Sequence, residues 1–161
     1  AAARLAAQAG PLAIAAGGLA ARFAPLDLPV LTDALPGRAG PLSGLLAGLD
    51  WAATAGASAV LSVAVDTPFF PRDLGARLEA AGRPLALAAC QEGDALRAQG
   101  TFGLWPVALR ADLRAALAAG TRKVTEWAFR HDPALVPFPA KDFLNVNTPA
   151  DLAEAEARVG G

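Results

Sequence analysis

Two carboxylates and two side-chain amides are the groups in this chain best placed to do chemistry. Asp66 closes an apolar run at 60–65 in VLSVAVDTPFFP, and Asp33 comes just after LPVL at 28–31. In open α/β sheets ligands bind beyond the carboxyl ends of the strands. A carboxylate there can hold a divalent cation, because its oxygens suit magnesium and magnesium also bridges to substrate phosphates. The plainer alternative is that Asp66 serves only the turn ahead of Pro68. Between the two aspartates lies LPGRAGPLSG, whose glycines at 37, 40 and 44 let a backbone approach a ligand closely. A helix opening near Pro41 would aim its amides into the same crevice. Together these features suggest a nucleotide or phosphate site, the alternative being a tight loop with two turn aspartates. In NVNTP, Asn145 and Asn147 alternate across a short extended segment and so point to one side. There they can hydrogen-bond a polar ligand, or Asn147 can simply belong to the turn and cap of the next helix.

Other chemistries find little support. Neither a P-loop nor GxGxxG occurs, no nucleophile elbow precedes a helix, and zinc-type spacing is missing. His131, the sole histidine, lies in a polar turn and reads as structural. Arg122 and Lys123 sit at a predicted helix start, where the helix dipole disfavours cations. That conflict points to an anion partner or to a solvated face. With 14 basic and 15 acidic residues and no long block of either sign, nucleic acid is not the expected partner. The single cysteine, Cys90, excludes an internal disulfide framework, fits a reducing compartment, and reads as a small buried hydrophobe. Alanine inflates the apolar fraction, and no apolar run approaches the roughly 18 residues of a membrane span. The expected location is cytoplasmic.

The elements that must position these groups follow from periodicity. At 161 residues the chain fits one domain over 1–161. Helix is expected at 1–9, strands at 12–16 and 28–31, and a helix from Pro41 whose Leu42, Leu45, Leu46 and Leu49 form a buried stripe. A central strand leads into Asp66, and a helix starts near Pro71. A strand is expected at 84–90, a polar loop at 91–100 and a strand at 101–105. A helix carries Leu109, Leu113 and Leu117, and a short one spans 123–130. Strands are expected at 134–138 and, shorter, at 142–146. The last helix has Thr148 as cap, Pro149 in its first position, Asp151 three residues after the cap, and Leu152, Ala155 and Val159 inward. Strands alternating with helices predict a layered α/β domain with a mostly parallel sheet.

LPVLTDALPGRAGPLSGLLAGL, VAVDTPFFP, TFGLWP and LNVNTPADLAEAE, in this order, resemble the molybdenum cofactor guanylyltransferases, nucleotidyltransferases with a Rossmann-like three-layer sandwich. The resemblance implies transfer of GMP from GTP to molybdopterin with release of pyrophosphate and with magnesium, in company with other cofactor-biosynthesis proteins. It makes Asp66 the metal ligand and a catalytic residue. Asp33 becomes a guanosine contact, and Gly40, Pro41, Leu42, Ser43 and Gly44 belong to the nucleotide pocket. Asn145 and Asn147 face the pterin side or the reaction centre, Asn147 as a catalytic group. Thr67 favours the guanylyl over the related cytidylyl branch, where DQP is typical. A non-catalytic binding module and a cytidylyltransferase are the alternatives. The family's LAGGxSxRMGxDK signature has no counterpart here, nor does the histidine and proline of its RxHP element, replaced by Arg97-Ala98-Gln99-Gly100. Without a methionine anywhere, and opening on what looks like the second half of a helix, these residues are expected to be a piece of a longer protein. The first strand and phosphate loop would then be missing, separating the strand at Leu12 from that at Val60. Weak folding and very low turnover are the expected consequences.

Overall fold

The structure is a computed structural model that describes residues 1–16, 20–33, 40–148, 151 and 153. The chain opens with helix α1 (Ala2–Ala6) and strand β1 (Ile14–Ala15), then a 3₁₀ segment (Ala20–Leu26) and strand β2 (Val30–Leu31). Helix α2 (Pro41–Thr54) leads to β3 (Ala59–Ser62) and α3 (Leu74–Glu79). Next come β4 (Ala86–Glu92), β5 (Ala95–Pro106), α4 (Arg110–Ala118), α5 (Val124–Ala128) and β6 (Ala134–Phe138). β1 and β2 pair in parallel as a sheet of their own. The larger sheet has the order β3-β5-β4-β6, in which β3, β4 and β6 run one way and β5 runs against them.

Alternation along the strands builds two cores, one on each face of this sheet. In β4 and β5, Leu87 and Trp105 face the layer of α2, α4 and α5, where they pack with Leu42, Leu45, Leu46, Leu49, Leu113, Leu117 and Trp127. Ala86, Ala88, Cys90 and Phe102 face the opposite way and meet Phe70, Leu74, Leu78, Phe138 and Phe143. Helix, sheet and helix make the expected three-layer α/β sandwich. The stripe of leucines on α2 is buried as its spacing predicts.

Several local expectations are corrected. Residues 91–100 are not a loop: β4 and β5 form a hairpin closed by Gly93 and Asp94, with Glu92 opposite Ala95. Gly93 has φ +59 at the first central position, the place a type II′ turn reserves for glycine. Such a tight connection forces an antiparallel pair, which makes the sheet mixed. β3 lies at an edge of its sheet among the described residues, not at the centre. It ends at Ser62, so Asp66 sits in the following turn. α3 begins at Leu74 rather than near Pro71. Residues 142–146 are not a strand: a 3₁₀ segment occupies Ala140–Phe143. β1 and β3 belong to separate sheets, as expected for the strands at Leu12 and Val60. Of the last helix, Asp151 and Ala153 are helical, while Pro149, Leu152, Ala155 and Val159 lie outside the described residues, as does Gly37.

Two packing details hold the segment that leads from the Asp66 turn into α3. Gln8, just after α1, donates from Nε2 to the Pro71 carbonyl at 2.9 Å and accepts from the Gly75 amide at 2.9 Å. Arg4 donates to the Phe70 carbonyl at 3.0 Å. α3 has no side-chain cap of its own from Asp73, so a residue distant in sequence satisfies its first turn instead.

Candidate active site

The site is built where the turn after β3 meets the segment after β6. Phe143 is buried and packs edge-on against Phe102 (4.7 Å between centroids) and Phe138 (5.8 Å). This anchors the residues that follow beside the Asp66 turn, where the Val146 amide donates to the Asp66 carbonyl at 2.7 Å. Thr67, completely buried, places its hydroxyl 2.7 Å from Oδ1 of Asn145 and 3.2 Å from Oδ1 of Asp66. A half-buried carboxylate, a buried hydroxyl and an exposed amide thus form one cluster from two distant segments.

Asn147 is not part of that contact. Its backbone amide donates to Asp151 at 3.0 Å, beside the reciprocal pair in which the Thr148 amide donates to Asp151 (2.9 Å) and the Asp151 amide to the Thr148 hydroxyl (3.1 Å). These bonds, the Asn147 amide foremost, hold the Asp151 carboxyl below the usual carboxylate range. The expected Thr148 cap is therefore present as a capping box.

The α2 end of the site differs in part from expectation. Asp33 is half-buried just beyond β2, and Pro41 opens α2 with Gly40 as its cap. Gly40 has φ +139, a conformation that glycine alone adopts readily. Gly44 faces β1, where a Cβ would stand 3.1 Å from that of Ala15, so its smallness serves helix packing. The Leu42 side chain is core, 1% exposed, leaving only its backbone to meet a ligand. The Gly44 amide makes the regular helical bond to the Gly40 carbonyl (3.2 Å), and the Ser43 amide turns onto the same oxygen (3.1 Å), so α2 presents one amide fewer than expected. The Ser43 hydroxyl is buried with no hydrogen-bond partner among the described residues.

Elsewhere, Arg122 donates to the carbonyls of Leu117 (3.2 Å) and Thr121 (2.8 Å). It caps the end of α4 rather than opposing the start of α5, which removes the expected conflict with the helix dipole for Arg122, while Lys123 stands at the N-cap of α5 as expected. His131 pairs with Asp112 at 2.9 Å and packs on Trp127, a structural position. Burial pushes the Cys90 thiol up, and Cys90 is free. No group of three or more metal-binding side chains occurs among the described residues. Among them, no helix is long and apolar enough to cross a membrane. Sequence reasoning used Thr67 only through the resemblance and gave Gln8 no role. A hydroxyl directly after Asp66 was a signal for the first, and nothing local marks the second.

A three-layer α/β sandwich with its polar cluster beyond the carboxyl end of a strand has the architecture of nucleotide-handling enzymes. Residues 1–134 match the family model described as the MobA-like NTP transferase domain, and the chain belongs to that family. It is 52% identical over 155 residues to a molybdenum cofactor guanylyltransferase of Cereibacter sphaeroides (strain ATCC 17029 / ATH 2.4.9), covering 96% of this chain and 78% of the relative. Among solved structures it resembles the molybdopterin-guanine dinucleotide biosynthesis protein A from Archaeoglobus fulgidus, with a TM-score of 0.59 at 21% identity over 88% of this chain and 73% of that one. It also resembles the 2-C-methyl-D-erythritol 4-phosphate cytidylyltransferase from Thermus thermophilus, with a TM-score of 0.60 at 24% identity over 96% and 100%. At these identities the two structures show the shared fold.

Proposed function

We propose that the chain acts as a molybdenum cofactor guanylyltransferase, moving GMP from GTP onto the phosphate of molybdopterin. A phosphate oxygen of the acceptor bonds to the α-phosphorus of GTP as the bond to the β-phosphate side breaks, and pyrophosphate leaves. The observation that carries this reading is the 52% identity, over 96% of the chain, to a relative named for the reaction.

In this reading Asp66 is the ligand of a divalent cation, magnesium, whose charge when bound would offset that of the phosphates. The donor set fits: one half-buried carboxylate, without the several acidic partners of an all-protein cage among the described residues, leaves the remaining positions to water and substrate phosphates, as magnesium prefers. Asn145 orients a polar group of the substrates beside Asp66. Asn147, two residues further along the same segment, acts in this reading as a catalytic group at the reaction centre. Asp33 accepts hydrogen bonds from the guanosine part. Gly40, Pro41, Leu42 and Gly44 form the wall of the nucleotide pocket through their backbone. Catalysis on this plan rests on positioning and charge, as phosphoryl and nucleotidyl transfers require.

Calorimetric titration of the chain with GTP and magnesium, beside Asp66→Ala and with CTP as competitor, tests the reading. Binding that requires both magnesium and Asp66, and that prefers GTP, is expected. Equal binding by a folded Asp66→Ala chain overturns the role of Asp66, and a preference for CTP overturns the guanylyl assignment.

A further inference from the structure

We propose that Thr67 is a positioning residue that couples Asp66 to Asn145 by sharing its one hydroxyl proton between them. The inference deepens the reading above and rests on it, since it assumes that Asp66 and Asn145 face the ligands. Thr67 is 0% exposed, so its hydroxyl has no bulk water to turn to. Among the described residues its hydrogen-bond partners are Oδ1 of Asn145 at 2.7 Å and Oδ1 of Asp66 at 3.2 Å. One O–H can donate fully to only one of them.

The competition is set by charge. A bare Asp66 carboxylate, the more strongly charged acceptor, competes from 3.2 Å and takes a share of the proton from the nearer Asn145 oxygen. When a cation withdraws charge from Asp66, the proton is left to Asn145, the nearer oxygen. The amide of Asn145 is then fixed with its oxygen on Thr67 and its NH2 turned outward, a donor suited to an anionic phosphate group. The Val146 amide bonded to the Asp66 carbonyl at 2.7 Å keeps the two segments in register while this happens. A hydroxyl buried solely to stabilise the turn would show no such dependence on what occupies Asp66.

Thr67→Val keeps the side-chain shape and removes the hydroxyl, and Thr67→Ser keeps the hydroxyl. With folding of each full chain checked by its unfolding transition, two measurements follow. First, calorimetry with GTP and magnesium: Thr67→Val is expected to weaken binding roughly tenfold, Thr67→Ser to recover most of it, and binding of GTP without magnesium to change little. Second, NMR of the Asn145 side-chain NH2 in the ligand-free chain and with magnesium alone: the signals are expected to move on adding magnesium in the wild type and in Thr67→Ser, and to stay still in Thr67→Val. Wild-type affinity in a folded Thr67→Val chain, or a Thr67→Ser chain as weak as Thr67→Val, overturns the proposal. If the wild type binds no GTP with magnesium, the functional reading fails by itself. Thr67 is then judged in the ligand-free chain, where Thr67→Val must move the Asn145 NH2 signals toward those of a free asparagine. Signals that do not move overturn the coupling.

Discussion

Replacing Asp112 by alanine removes the one carboxylate that serves two aromatic residues of the α4–α5 layer. The indole N–H of Trp127 donates to Oδ2 of Asp112 at 2.7 Å, and His131 meets the same oxygen at 2.9 Å. Trp127 is 0% exposed and stacks on Trp105 at 5.9 Å, so in Asp112→Ala its N–H loses its acceptor and meets only such water as enters the space the carboxylate leaves. A buried donor left without its acceptor costs about 1–3 kcal/mol. The His131 pair adds little, about 0–1 kcal/mol, because the Asp112 side chain is 54% exposed. The expected loss is about 2 kcal/mol near neutral pH, which corresponds to a Tm lower by roughly 4–8 °C for a chain of this size. The pH dependence has a definite sign. The Trp127 hydrogen bond above all, helped by His131 and opposed by partial desolvation, holds the Asp112 carboxyl below its ordinary value of 3.8. A carboxyl depressed in the folded state contributes stability that is fully present above the unfolded value and is lost as pH falls through the folded one. Urea unfolding of wild type and Asp112→Ala at pH 7 and at about pH 3 therefore gives a gap that narrows in acid, with Asp112→Asn, which keeps an acceptor, in between. Equal stabilities at pH 7, or a gap unchanged at the lower pH, refute the reasoning.

Gly103→Ala puts a methyl group 2.8 Å from Leu87 Cδ2 and from the ring of Trp105, both buried, where β5 pairs with β3 on one side and β4 on the other. A loss of about 2–3 kcal/mol in urea unfolding is expected from this overpacking, together with altered tryptophan fluorescence as the ring leaves its bond to Ser62 (2.7 Å); unchanged values of both exclude it. Gln8→Ala strips the Gly75 amide and the Pro71 carbonyl of their partner at once. It is expected to lower stability by about 1–2 kcal/mol and to speed hydrogen exchange at Gly75, whereas unaltered exchange there argues that water replaces the glutamine freely.

Legibility in the sequence followed the range of the interaction. The leucine stripe of α2, the strand at 134–138 and the Thr148–Asp151 capping box depend on residues within one or two turns of each other, and the structure has them where periodicity and cap chemistry put them. The hairpin at Gly93 is not legible because the strand residues after it, 95–100, mix apolar and polar side chains without alternation and are exposed or half-buried, which erases the pattern that marks a half-buried strand. Asp66 was legible as a polar residue after an apolar run. Its distance from the end of β3 was not, since Val63 and Ala64 are as apolar as the strand they follow.

By itself, then, the sequence determined most of the helices and strands, the buried stripe of α2, and the aspartates and asparagines available for chemistry, because each is written in local spacing. Only the tertiary structure decided that β5 runs between β3 and β4, that Gln8 caps α3, that Arg122 belongs to α4, and that Thr67 rather than Asn147 meets Asn145 beside Asp66. The Gln8–Gly75 and Thr67–Asn145 contacts join positions 67 and 78 residues apart. No local propensity encodes such a meeting; it is set by the path the whole chain takes once its two cores have packed.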